Sequence, residues 1–185
     1  MATVMLGSFE EVWRDPARCC QALVSTGAVT HMSIVAVERA PRLRTLEITC
    51  VPPPSFEGYP VEVVRVTVFA EGAVVAVPVG PANRTWIHRY PPISFDALLT
   101  HLGTSPPVQW LNVSGALCLE YPGDPEMYRW NWAKGFDTYL QMVQRHLLAE
   151  EFARRYGKWP VEDAPHGLRS DGKPHPRTAP MAWAA

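Results

Sequence analysis

Two hydrophobic periods divide this chain. From His31 to Val79 apolar positions recur every second residue, the spacing of a strand with one face buried. Ile34, Ala36 and Glu38 oppose Ser33, Val35 and Val37 in a first strand, and Leu46, Ile48 and Cys50 alternate with Thr45, Glu47 and Thr49 in a second. A third spans about Val61 to Phe69, with Val64, Val66 and Val68 on one face against Arg65 and Thr67. After the Glu71-Gly72 turn a fourth covers Ala73 to Val79. The connections are too short for crossover helices, so the pattern predicts an antiparallel meander. Cys50 then belongs to the buried sheet face.

On either side the period is helical. Ser8 and Glu11 have capping-box spacing for a short turn through Trp13. Asp15 can cap a second start with Pro16 in its first turn, and Gly27 closes a helix from about Pro16 to Thr26. Cys19 and Cys20 lie within it and point about 100 degrees apart. Both are therefore packing residues, of which at most one faces the core squarely. After Trp132 comes the longest run. Phe136, Leu140, Val143 and Leu147 form an apolar stripe that Phe152 and Tyr156 roughly extend, with His146 beside it as a structural residue. The run ends at Gly157 with Arg154 and Arg155 in its last turn, a positive end suited to the helix dipole. A solvated terminus explains that charge more simply than an acidic partner does.

Between these blocks the pattern breaks down. Residues from Pro78 to Pro92 hold too many prolines for a strand and carry Trp86, His88, Arg89 and Tyr90 in close succession. On its own, His88 reads as a hydrogen-bonded loop residue. A short helix fits Phe95 to Leu102, started by Ser94 or Asp96 and stopped by Gly103. The stretch from Pro160 to Ala185 is proline-rich with little periodic apolar content, which predicts an extended or partly disordered tail.

Composition narrows the classes. The 185 residues suit one domain, residues 1–160, followed by the tail at 161–185. Hydrophobic residues make up 47%, charged ones 19%, and the formal net charge is -1, so neither a disordered chain nor a global nucleic-acid-binding field is indicated. Cys19, Cys20, Cys50 and Cys118 include no CxxC pair, so no standard zinc framework is written here. No stretch reaches the roughly 20 apolar residues of a membrane span, and a cytoplasmic protein is the simplest expectation.

One stretch carries candidate chemistry. Gly115 to Trp132 reads GALCLEYPGDPEMYRWNW. Pro122, Gly123, Asp124 and Pro125 favour a turn, so Cys118 sits where ordered structure hands over to loop. A thiol there can be accessible while Leu117 and Leu119 stay anchored. Position alone still favours a small buried hydrophobe.

Element order tips that balance. A helix, a four-stranded meander, a proline-rich segment, a cysteine loop and a long helix resemble the ubiquitin-conjugating-enzyme (UBC) fold, an α+β architecture. Gly115, Ala116, Leu117, Cys118 and Leu119 resemble that family's G-x-[IL]-C-L signature, with Trp130 or Trp132 downstream. The chain is more similar still to bacterial UBC-like proteins encoded beside cGAS/DncV-like nucleotidyltransferases in cyclic-oligonucleotide antiphage systems. That similarity rests on Trp86, His88, Arg89, Tyr90 and Pro91; on Leu117, Cys118, Leu119, Tyr121 and Pro122; on His146, Ala149, Glu150 and Glu151; and on Gly157, Trp159, Pro160, Pro165, His166 and Gly167. It covers mainly the C-terminal half. Two features depart from the family: there is no His-Pro-Asn motif before the cysteine, and residues 92–114 form a longer insertion than the bacterial relatives would need.

The resemblance implies a transferase. Cys118 as thiolate would form a thioester with the activated C-terminus of a partner, the nucleotidyltransferase, and pass it to a lysine or another acceptor, with or without a separate activating enzyme upstream. A free thiol titrates near ~8.5 and needs a cationic neighbour, a dipole or a base. His88 is the candidate base or oxyanion stabiliser, and Arg89 or Asn131 the candidate donor. No cofactor, no direct nucleic-acid contact and no membrane contact are implied. Three other readings compete: a non-catalytic UBC-like adaptor, a cysteine hydrolase using Cys118 and His88, and a metal site of His88, Cys118 and His166. The last matches no recognised ligand spacing.

Overall fold

A computed structural model describes residues 7–79, 116, 117, 119 and 129–160. The chain is α+β: two N-terminal helices, α1 (Phe9–Arg14) and α2 (Pro16–Ser25), precede a four-stranded sheet, and a long helix α3 (Phe136–Tyr156) follows it. The strands are β1 (Met32–Ala40), β2 (Leu43–Cys50), β3 (Glu62–Phe69) and β4 (Val74–Pro78), joined antiparallel in the order β1-β2-β3-β4. The meander is the one the alternation predicts. The short helix expected over Phe95 to Leu102 and the tail from 161 onward lie outside the described residues.

The helix starts are set by local chemistry. Ser8 accepts from the Glu11 amide while the Glu11 carboxylate accepts from the Ser8 amide at 2.8 Å, closing the capping box. The Ser8 and Gly7 amides hold the Glu11 carboxyl below its ordinary value, the Ser8 amide most strongly. Asp15 ends α1 and caps α2 by accepting from the Arg18 amide at 3.1 Å. The long helix has no such side-chain cap. Its first amide, that of Phe136, instead donates to the Gly7 carbonyl at 3.0 Å, so the residue just before the capping box of α1 also secures the start of α3.

A single main core lies between the sheet and the helices. Leu46, Ile48, Val64, Val66 and Val68 from the sheet meet Val12, Leu23, Phe136, Leu140 and Val143 from the helices, all fully buried. Cys50 joins them on the inner face, as its place in the alternation requires. A smaller cluster of Phe69, Val75 and Ala116 packs on the opposite face.

Three details differ from the expectation. Cys19 and Cys20 are both buried in the core, because α2 is covered on two sides: it packs on β1 and also on α1, whose Glu11 lies close enough to act on the Cys19 thiol. A β-bulge between Ala36 and Glu38 leaves Val37 without an opposite residue. Glu38 consequently pairs with Thr45 and shares the outer face with Val35 rather than the inner face with Ile34. Finally, Tyr156 is exposed and does not extend the apolar stripe. The spacing that runs 136, 140, 143, 147 continues to Glu150, which is completely buried.

Candidate functional site

The stretch around Cys118 is fastened to the core at both ends. At its entry Ala116 and Leu117 are buried on opposite-face clusters, and the Leu117 amide donates to the Ala76 carbonyl of β4 at 2.9 Å. Leu119 packs partly buried against the main core. The two leucines beside Cys118 are thus anchored. Cys118 itself, His88 and Arg89 lie outside the described residues, as does the insertion at 92–114.

At its exit the chain enters an aromatic shell. Trp130 meets Trp132 edge-on at 5.0 Å between ring centres and Tyr139 at 4.9 Å. Trp132 stacks on Phe136 at 5.7 Å and meets Phe9 of α1 edge-on at 5.3 Å. Each indole also donates a hydrogen bond, Trp130 Nε1 to the Gly135 carbonyl at 2.8 Å and Trp132 Nε1 to the Gly72 carbonyl at 2.6 Å. A partly buried indole needs such an acceptor, and here each one fixes the direction in which the chain enters α3.

Asn131 lies between these two tryptophans. Its backbone is extended, its carbonyl accepts from the Lys134 amide at 2.9 Å, and its side chain is exposed and makes no cap to the following turn of 3₁₀ helix, Trp132–Lys134. Of the four candidate catalytic residues it is the one whose surroundings are described.

The remaining cysteines contrast with what a nucleophile needs. Burial pushes the Cys19 thiol up to about 11, with Glu11 and Asp15 adding to the effect, and pushes the Cys20 and Cys50 thiols up to about 12. The thiolate fraction of each is negligible near neutral pH. They are packing residues in chemistry as well as position. Among the described residues no group of three His, Cys, Asp or Glu side chains could hold a metal ion, and no helix is long and apolar enough to cross a membrane. A crevice lined by Cys50, Tyr59, Glu62, Leu147 and Glu151 has a volume of about 10 Å³, room for one water and not for a substrate.

A second polar feature occupies the C-terminal half of α3. Glu150 Oε2 accepts from Arg154 at 2.8 Å, and Glu150 Oε1 lies 3.8 Å from Nε2 of the buried His146. The His146 ring in turn meets Trp159 at 5.4 Å between centres. Arg154 and Arg155 both bind Glu151, and Arg155 also donates to the Gly58 carbonyl and covers the Tyr59 ring at 4.3 Å. The basic end of α3 is therefore engaged within the molecule, and neither arginine is left as a simple solvated charge for an acidic partner. Its signal in the sequence was the heptad-like spacing itself, which places a carboxylate at the next core position.

Comparison with protein families, with curated proteins and with solved structures finds no match.

Proposed function

We propose that this protein is a UBC-like acyltransferase in which Cys118 accepts the C-terminus of a partner protein as a thioester and passes it to an amine. The observation that carries this reading is the double anchoring of the cysteine stretch on an α+β frame of the required element order. Leu117 is tied to β4, Leu119 packs on the core, and the tryptophans downstream lead into the long helix. Support also comes from the other three cysteines, whose burial leaves Cys118 as the thiol suited to chemistry.

In the reaction, the Cys118 thiolate attacks the carbonyl carbon of an activated C-terminal acyl group, and the activating group leaves as the C–S bond forms. An amine then attacks the thioester, the C–N bond replaces C–S, and the thiol is regenerated. Activation of the acyl group belongs to a separate enzyme. His88 serves as base or oxyanion stabiliser, with Arg89 or Asn131 as donor. The resemblance to bacterial antiphage proteins makes a cGAS/DncV-like nucleotidyltransferase the client, and the setting cytoplasmic defence against phage.

Mass spectrometry of the protein mixed with that nucleotidyltransferase and its activating enzyme, without reductant, tests the reading. Wild type should carry a thiol-labile adduct, and Cys118→Ser a more persistent ester at the same position. No adduct with either protein would remove the transferase. A non-catalytic adaptor is the competing reading, favoured by the missing His-Pro-Asn motif. Native alkylation separates the two, because Cys19, Cys20 and Cys50 are buried and the label reports on Cys118: an adaptor with a packed cysteine stays unlabelled.

A further inference from the structure

We infer that Arg129 and Lys134 form an anion-binding site, suited to the phosphate group of a small ligand, in the turn that leads into α3. The site is independent of the chemistry assigned to Cys118.

Among the described residues three arginines are drawn below the surface: Arg44, Arg129 and Arg154. Arg44 donates to the carbonyls of Trp13, Ala40 and Leu43, and Arg154 holds the carboxylates of Glu150 and Glu151. Arg129 is the exception. Its Nε is enclosed without an acceptor, and no carbonyl or carboxylate of the described residues binds its Nη atoms, which stay open to solvent. A guanidinium keeps its charge at any pH the protein meets, so a half-buried one without a counter-charge is costly to hold. An anion on the open Nη atoms supplies the missing partner.

A second cation is tied to the first. Lys134 Nζ donates to the Arg129 carbonyl, and Trp130 Nε1, between them, donates to the Gly135 carbonyl at 2.8 Å. The Lys134 and Gly135 amides close the same turn on the carbonyls of Asn131 and Trp132, at 2.9 and 3.1 Å. Residues 129–135 are therefore a preformed loop, braced further by the edge-on contacts of Trp130 with Trp132 and Tyr139. Gly135 then opens α3, which is 21 residues long and has no side-chain cap, and whose amide end adds partial positive charge. Against this stands Asp137 in the first helical turn, a single carboxylate beside two cations.

The two cations differ in shape, and that selects the ligand. Arg129 offers a planar fork and Lys134 a point charge, so a phosphate dianion engages both, whereas a carboxylate, with one charge, satisfies the fork alone.

Calorimetric titration at low ionic strength with inorganic phosphate, phenyl phosphate and acetate tests the site. Both phosphates should bind once per chain, and acetate about 10-fold more weakly. Tighter binding of phenyl phosphate would assign the site to an ester, and equal binding to the phosphate group alone. Arg129→Gln should weaken phosphate about 10-fold and Lys134→Gln about 3-fold, whereas Arg39→Gln, at an exposed arginine of β1, should leave it unchanged. Wild-type protein gives a second reading that needs no folded variant: phosphate should slow modification of Arg129 by phenylglyoxal, located by peptide mass mapping, relative to chloride at equal ionic strength. No saturable heat with phosphate, acetate binding as tightly as phosphate, equal effects of R129Q and R39Q, or equal modification rates in phosphate and chloride would each overturn the assignment.

Discussion

The two ends of α3 solve the same problem with opposite chemistry. At the N-terminal end Phe136 and Tyr139 lie in an aromatic shell with Phe9, Trp130 and Trp132, and the contacts are rings against rings. At the C-terminal end Glu150 is just as deeply buried, yet its partners are His146 and Arg154, and the next turn is tied down by Glu151 and Arg155. One helix thus has a dry end that leads from the cysteine stretch and an ionic end that grips the β2–β3 connection. Shape complementarity tolerates changes in pH and salt, whereas an ionic grip depends on both. The end that follows the cysteine stretch in the chain is the insensitive one.

The largest effects should come from removing the buried centre of each end. Phe136→Ala should cost about 4 kcal/mol, because the ring is fully buried and its neighbours cannot collapse into the space. Glu150→Ala should cost about 3 kcal/mol for a different reason, the loss of a fully buried carboxylate that Arg154 and His146 share, which leaves Arg154 with Glu151 alone. Urea denaturation measures both. The comparison sharpens with Phe136→Leu and Glu150→Gln: the first should recover most of the lost stability, while the second keeps the shape and still loses the charge. Equal recovery at the two ends would mean that Glu150 is held by packing and the contrast is mistaken.

How much of this was legible follows the same division. The strands and the dry half of α3 announce themselves, because burial of one face imposes a period of two on Val64, Val66 and Val68 and of three to four on Phe136, Leu140 and Val143. Glu150 sits in the same register but was hidden by its charge, since a carboxylate at a core position reads as a break in the stripe. The ties that hold the site were hidden for another reason. Trp132 to Gly72, Phe136 to Gly7 and Arg44 to the Trp13 carbonyl at 2.8 Å join residues far apart in the chain, and no local pattern records such pairs. For His88 and Arg89 the sequence offers only proximity to prolines and aromatics, so their roles rest on the family resemblance.

A medium effect should follow from Gly7→Ala. Gly7 has a φ of +88°, and a Cβ there would come within 2.8 Å of Phe136 Cβ, so backbone must move at the point where the Gly7 carbonyl caps α3. The cost should be about 2 kcal/mol, combining left-handed strain with the displaced contact. Hydrogen exchange should report it first in the opening turn of α3. Faster exchange confined to the C-terminal turns would contradict the assignment of this contact to the dry end.

The smallest change belongs to the ionic end and is read best through pH. Burial opposes ionisation of Glu151, yet hydrogen bonds from Arg155 and Arg154 outweigh it and hold the carboxyl below its ordinary value near 4.5. In that range the unfolded chain binds more protons than the folded one, so stability must rise with pH. The contribution is complete above the unfolded value and is lost as pH falls through the lower folded value. Glu151→Gln removes it, and stability should then decline less steeply with acid than in wild type. Glu11, lowered in the same direction by the amides of the capping box, and Glu71, lowered by its hydrogen bond from Arg42, contribute to the slope that remains. Added salt should weaken the Glu151 contribution, because the Arg155 partner is partly exposed, and should leave the stability difference caused by Phe136→Ala unchanged. Urea titrations from pH 3 to pH 7 at two salt concentrations give both slopes, and parallel acid curves for Glu151→Gln and wild type would show that the ionic grip contributes nothing to holding this end of the helix.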